Sequence, residues 1–193
     1  MRNWVTLVSA TLAMSSATVT AQETAQAGIA YDCDTAANHY SELSLPSGEV
    51  PFTVSGKVKL LSIIPGQDYV TLTRLSISNA APQSGPSNEG WAGFQVGVLK
   101  RSAKQPGMAL VSSTLRETGG DNATEALAPP VVVENVDDLQ EVQFTLRYDG
   151  RQATVRIGDS EKVLAFAAPR PIVRIVCSTG EFLYTDLVIR PGA

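Results

Sequence analysis

Val142-Gln143-Phe144-Thr145-Leu146-Arg147-Tyr148-Asp149-Gly150-Arg151-Gln152-Ala153-Thr154-Val155-Arg156-Ile157 decides the fold class. Val142, Phe144, Leu146 and Tyr148 alternate with Gln143, Thr145 and Arg147, and Ala153, Val155 and Ile157 continue the pattern after Asp149-Gly150. Successive strand residues face opposite sides, so this pattern is two half-buried strands. Asp-Gly between alternating runs is the strongest short-range hairpin signal.

The same rhythm runs outward in both directions. Phe52, Val54, Val58 and Leu60 alternate with Thr53, Ser55, Lys57 and Lys59. Pro65-Gly66-Gln67-Asp68 then predicts a turn, and Tyr69 to Ser78 a returning strand that completes a hairpin. Val70 and Leu72 share one parity, Leu75 and Ile77 the other, which predicts a bulge near Arg74. A loop is expected over Ala80–Gly90, rich in Pro, Gly and Ser, and a second over Thr118–Pro130. Between them lie predicted strands Trp91–Arg101 and Met108–Arg116, joined at Gln105-Pro106-Gly107. Ile172–Cys177 and Phe182–Ile189 close the series around a turn at Ser178-Thr179-Gly180. Roughly ten short strands without intervening helices point to a sandwich or barrel, with the sandwich preferred.

The N-terminus reads differently. Arg2 precedes an uncharged stretch, Val5 to Ala21, of Val, Leu, Ala, Ser and Thr, which predicts a secretory signal peptide over residues 1–21. Residues 22–27 are expected to form a flexible tail, and residues 28–193 one β-sandwich domain. The stretch is shorter and more polar than the roughly 20 apolar residues of a membrane span, and none follows it. The expected location is the periplasm or outside the cell. The whole chain of 193 residues has 15 basic and 19 acidic side chains. Loss of residues 1–21 removes only Arg2, leaving an acidic chain unsuited to nucleic acid.

In an oxidising compartment the only two cysteines, Cys33 and Cys177, are expected to form one bridge; the alternative is two buried thiols. His39 is the only histidine, so neither a multi-histidine metal site nor a histidine-assisted nucleophile is supported, and no metal or other cofactor is expected. Its neighbour Tyr40 would face the opposite side of a strand, which disfavours a His-Tyr acid/base pair. Glu134, Asp137, Asp138 and Glu141 are read as a solvated turn. The basic sets Lys100, Arg101, Lys104 and Arg147, Arg151, Arg156 are read as solvated faces. The ligand-binding candidates are Trp91, which would stack on a sugar ring, with Asn88 and Glu89 on its hydroxyls, and the oxygen-bearing pair Asp121 and Asn122 after Gly119-Gly120. The competing reading makes Trp91 a core plug. Asn122-Ala123-Thr124 also matches a glycosylation acceptor.

Phe144-Thr145-Leu146-Arg147-Tyr148-Asp149-Gly150, Val155-Arg156-Ile157-Gly158 and Ser178-Thr179-Gly180-Glu181-Phe182 leading into Asp186-Leu187-Val188-Ile189 resemble the concanavalin A-like lectin/glucanase superfamily, including its laminin G-like branch. The resemblance implies an all-β, two-sheet antiparallel jelly-roll sandwich, with carbohydrate binding on the concave face or loops. The glucanase members carry two glutamates flanking an aspartate on one strand, all facing one side. Glu134, Asp137, Asp138 and Glu141 do not have that spacing, so no catalytic residue is assigned. The leading expectation is a non-catalytic lectin-like domain. A polysaccharide-degrading glycosidase or lyase of the same fold and an envelope protein-interaction domain remain the alternatives, so the expected partner is a glycan or an envelope protein.

Overall fold

The computed structural model describes residues 28–64, 70–80, 90–100 and 107–192, the Lys100 side chain excepted. Ten strands follow in order: β1 Ile29–Pro46, β2 Phe52–Ile63, β3 Leu72–Asn79, β4 Trp91–Lys100, β5 Met108–Thr118, β6 Asp121–Val133, β7 Val142–Tyr148, β8 Gln152–Ile157, β9 Ser160–Ala165 and β10 Pro171–Pro191. All pairings are antiparallel, and the hydrogen-bonded order is β6-β5-β4-β3-β10-β2-β7-β8-β9, with β1 on β10.

This one path folds into two sheets because β10 changes partners midway. Its residues Pro171–Ser178 lie between β3 and Tyr40–Pro46 of β1, whereas Gly180–Pro191 lie against β2 and Ile29–Thr35 of β1. The first sheet is therefore β6-β5-β4-β3-β10-β1, and the second is β1-β10-β2-β7-β8-β9. On the opposite side Lys162 of β9 meets Glu125 of β6 at 3.2 Å, drawing the two outer strands together.

The crease in β10 is at Thr179, whose φ of 51° is costly for a β-branched residue. Hydroxyls hold it in place. Thr71 Oγ1 donates to the Thr179 carbonyl at 2.6 Å, and Ser178 Oγ donates to the Val70 carbonyl at 2.6 Å. Thr35 Oγ1 donates to the Gly180 carbonyl and accepts from its N–H. A Cβ on Gly180 would crowd the Ser62 carbonyl and Thr71 Cγ2, so glycine is required there. The expected bridge joins Cys33 to Cys177 beside this crease, over a sequence separation of 144.

The core fills the space between the sheets. Phe52, Val54, Val58 and Leu60 point inward as the alternation predicts, with Phe144, Leu146, Tyr148, Ala153 and Val155 beside them. Phe94 contributes from the first sheet, with a ring centroid 5.2 Å from Phe144, which in turn meets Tyr184 edge-on at 6.0 Å. The Tyr184 hydroxyl is satisfied by Thr73 Oγ1 at 2.6 Å, and burial pushes its pKa well above the ordinary phenol value.

The Asp149-Gly150 hairpin forms as expected between β7 and β8. Gly150 has φ +98°, and Asp149 Oδ1 accepts the Arg151 and Gln152 N–H groups at 2.8 and 2.7 Å. These two bonds hold the Asp149 carboxyl below its usual pKa. A depressed folded pKa stabilises above the unfolded carboxylate value of about 3.9 and loses that contribution as pH falls through the folded value. The expected result is an Asp149 titration midpoint below the ordinary carboxylate value, followed by carboxyl-carbon NMR. A midpoint at the unperturbed value would contradict the turn geometry.

Four expectations are corrected. β2 and β3 do not form a hairpin, because β10 lies between them and the chain passes from one sheet to the other. β3 has no bulge at Arg74: its register against β4 and β10 is continuous, and Thr71 and Thr73 take the inward positions that Val70 and Leu72 were expected to hold. Residues 118–130 are not a loop; Gly119-Gly120, both at positive φ, make a tight turn into β6. Ser178-Thr179-Gly180 is a crease within one strand and not a turn between two. The acidic cluster forms a short 3-10 turn, Val136–Asp138, in which Asp138 accepts from the Asn135 N–H. Among the described residues no helix is long and apolar enough to cross a membrane. The signal peptide, the tail, the turn at 65–68, most of the Ala80–Gly90 loop, Arg101, Lys104 and the start of the 105–107 turn lie outside the described residues.

Candidate ligand-binding face

Register places a defined set of side chains on the outer face of the first sheet. Inward on β4 are Ala92, Phe94, Val96 and Val98, so Trp91, Gly93, Gln95, Gly97 and Leu99 face out. Cross-strand partners share a face. The row through Trp91 runs Ile172, Ser78, Trp91, Glu117, Asn122; the next runs Arg174, Ser76, Gly93, Leu115, Thr124; the third runs Glu42, Val176, Arg74, Gln95, Ser113.

Part of this face is closed to solvent. Ser76, Ser78 and Leu115 point away from the core yet are only 1%, 0% and 1% exposed. Arg74 runs along it and places its guanidinium carbon 4.1 Å from the centroid of the Trp91 ring. Burial pulls the Arg74 pKa below the ordinary guanidinium value, and nearby Glu117 opposes that pull. Arg74 Nε and Ser78 Oγ are both buried with no hydrogen-bond partner among the described residues. A buried donor left unpaired costs about 1–3 kcal/mol. Arg174 is instead engaged, with Nε 2.9 Å from Glu42 Oε1. Gly93 lets β3 and β4 approach closely between Trp91 and Gln95, since a Cβ there would collide with the Leu75 carbonyl.

An indole face, a guanidinium fork, an amide, hydroxyls and a carboxylate on one surface are the groups that bind a polyhydroxylated molecule. Among the described residues no three His, Cys, Asp or Glu are grouped to hold a metal ion.

Against known proteins, no family model matches the chain and no curated protein matches it. Among solved structures, an alginate lyase from Pseudomonas aeruginosa superposes with a TM-score of 0.52 at 8% identity, over 77% of this chain and 68% of that one. The chain has the concanavalin A-like jelly-roll fold. A marine PL7 alginate lyase from Zobellia galactanivorans is matched at TM-score 0.49 and 11% identity, over 78% of this chain. The chain spans 65% of that enzyme's length. The carbohydrate-binding module CBM66 from Bacillus subtilis is matched at 0.44 and 10% identity, over 82% of this chain and 85% of the module.

Within this jelly roll, the sequence-derived candidates separate. Trp91 is half-buried on the outer face, not a plug of the core. Asn122 lies on its row, two strands away, with Glu117 between them. Asp121 has the opposite parity and pairs with Arg116 at 2.9 Å. Asn88 and Glu89 lie outside the described residues. His39 sits in the irregular stretch of β1 between Thr35 and Tyr40, its Nδ1 2.7 Å from the Ala37 carbonyl. Arg147 and Arg156 share the outer face of the second sheet, as the hairpin pattern predicts. Sequence reading missed Arg74, Gln95, Glu117 and the Arg174–Glu42 pair. The available signal was Arg74 itself, a charge at an outward position inside an otherwise apolar and small-residue strand.

Proposed function

We propose that the protein is an exported, non-catalytic carbohydrate-binding domain of the periplasm or the extracellular space, and that it binds glycan on the outer face of the first sheet. The observation that carries this reading is Arg74 lying over Trp91 on one sheet face with Gln95 and Glu117. A sugar ring would stack against the indole while its hydroxyls meet the Gln95 amide and the Glu117 carboxylate. Carbohydrate-related names among the fold relatives, a lyase and a binding module, are in keeping with it. The buried Cys33–Cys177 bridge fits the oxidising compartment that export implies.

The test is a binding screen of the exported protein against neutral and acidic polysaccharides, with released reducing ends measured in the same wells. Saturable binding without product is the expected result, on a chain whose N-terminal residue is Gln22. Trp91→Ala is expected to weaken that binding about tenfold or more, since aromatic anchors dominate such sites. Unchanged affinity in Trp91→Ala would remove the site, product release would replace the binder by an enzyme, and silence throughout would leave the envelope-interaction alternative.

A further inference from the structure

The outer face of the first sheet is not uniform along the strands. The three rows from Trp91 to Arg74 are largely polar, but the next two are largely apolar. Tyr40, Ser178, Leu72, Gly97 and Val111 form the fourth row, and Leu99, Ala109 and Val132 the fifth. Tyr40, Leu99 and Val132 remain 65%, 54% and 51% exposed. Gly97, with no side chain, leaves a dip between Leu72 and Val111, and a Cβ there would meet nothing closer than 3.5 Å.

Exposed apolar residues scattered singly need no explanation, but a contiguous set beside a polar site does. The second sheet supplies the contrast, since its outer face carries Asp32, Lys57, Lys59, Thr145, Arg147 and Arg156. Strand rise sets the scale: Gly97 is two residues from Gln95, so the apolar band begins roughly 7 Å from the polar rows. One ligand of modest size therefore reaches both.

We infer that the ligand is amphiphilic, a glycan carrying an aliphatic acyl or alkyl substituent, with its sugar on Trp91 and Arg74 and its chain on Leu72, Gly97, Val111, Leu99 and Val132. This rests on the glycan-binding reading above and adds the apolar subsite to it. The band is continuous with the polar rows, and the substituent covers carbon surface that a bare polysaccharide leaves wet.

The probes are methyl, butyl and octyl β-D-glucosides, each below its micelle concentration, titrated calorimetrically into the intact protein and into a Leu99→Asp/Val132→Asp variant. Both positions are more than half exposed, so the variant should fold, and circular dichroism with a melting curve checks this. A fully buried methylene is worth about fourfold in affinity. The expected result is at least a tenfold gain from methyl to butyl in the wild type, mostly lost in the variant. A flat chain-length series, an equal series in the variant, or no binding of any glucoside overturns the amphiphile. The glycan reading fails separately, on the polysaccharide screen and Trp91→Ala.

Discussion

Replacing Cys33 and Cys177 together by alanine is expected to lower the free energy of unfolding by about 4–5 kcal/mol, the largest effect of any change considered for this chain. The bridge closes a loop with a sequence separation of 144, so the unfolded chain without it gains the entropy of nearly the whole domain. Both sulfurs are buried, at 1% and 0% exposure, and Thr73 Oγ1 lies 3.2 Å from Cys177 Sγ. Reductant should therefore act only once the protein unfolds. Urea denaturation of wild type with and without dithiothreitol, and of the double variant, measures the effect. Superimposable curves would mean that the pairing and hydroxyl stitching at the crease carry the stability alone.

Phe144→Ala is expected to cost about 3–5 kcal/mol. Phe144 is 1% exposed and bridges the layers, with Phe94 of the first sheet on one side and Tyr184 of the second on the other. Gly56 of β2 lies directly against its ring, so that strand has no side chain to fill the void, and of the two directly paired neighbours only Ile157 of β8 offers one. Phe144→Leu should recover part of the loss, since it restores volume without the ring contacts. A cost below about 1 kcal/mol, read from the same urea curves, would show that the sheets collapse to fill the gap.

Two of the pairings between strands close in the chain were readable in the sequence, whereas β6 and β9 were not read as strands. Phe144 to Tyr148 and Ala153 to Ile157 carried both their alternation and their turn chemistry, and the pairing of Trp91–Lys100 with Met108–Thr118 followed from spacing. The pairing of β10 with β1, β2 and β3 was hidden, because no local pattern states which distant strand enters between two others. Polar residues at inward positions also disguised parity: Thr71 and Thr73 face the core because their hydroxyls find Thr179, Tyr184 and Cys177, not because they are apolar. The tight Gly119-Gly120 turn looked like the start of a loop for the same reason that glycine serves both.

For the candidate face, Trp91 was legible as the one tryptophan after Ala21, but its companions were not. Arg74 is 17 positions earlier in the chain and Glu117 is 26 later, and only the β3-β4-β5 register brings them to one surface. Asp121 and Asn122, read as a pair, are parted by strand parity, which a loop assignment could not anticipate.

The central place of β10 bears on how the chain acquires its fold. β1, β2 and β3 each take a partner from residues 171–191, so none completes its hydrogen bonding until those residues have been synthesised. The β7–β8–β9 meander can form early, but the first strand waits on the last. Such distant pairing makes folding slow. In a chain exported as proposed, that delay would keep the polypeptide threadable through a translocation pore and let Cys33 meet Cys177 only on the far side.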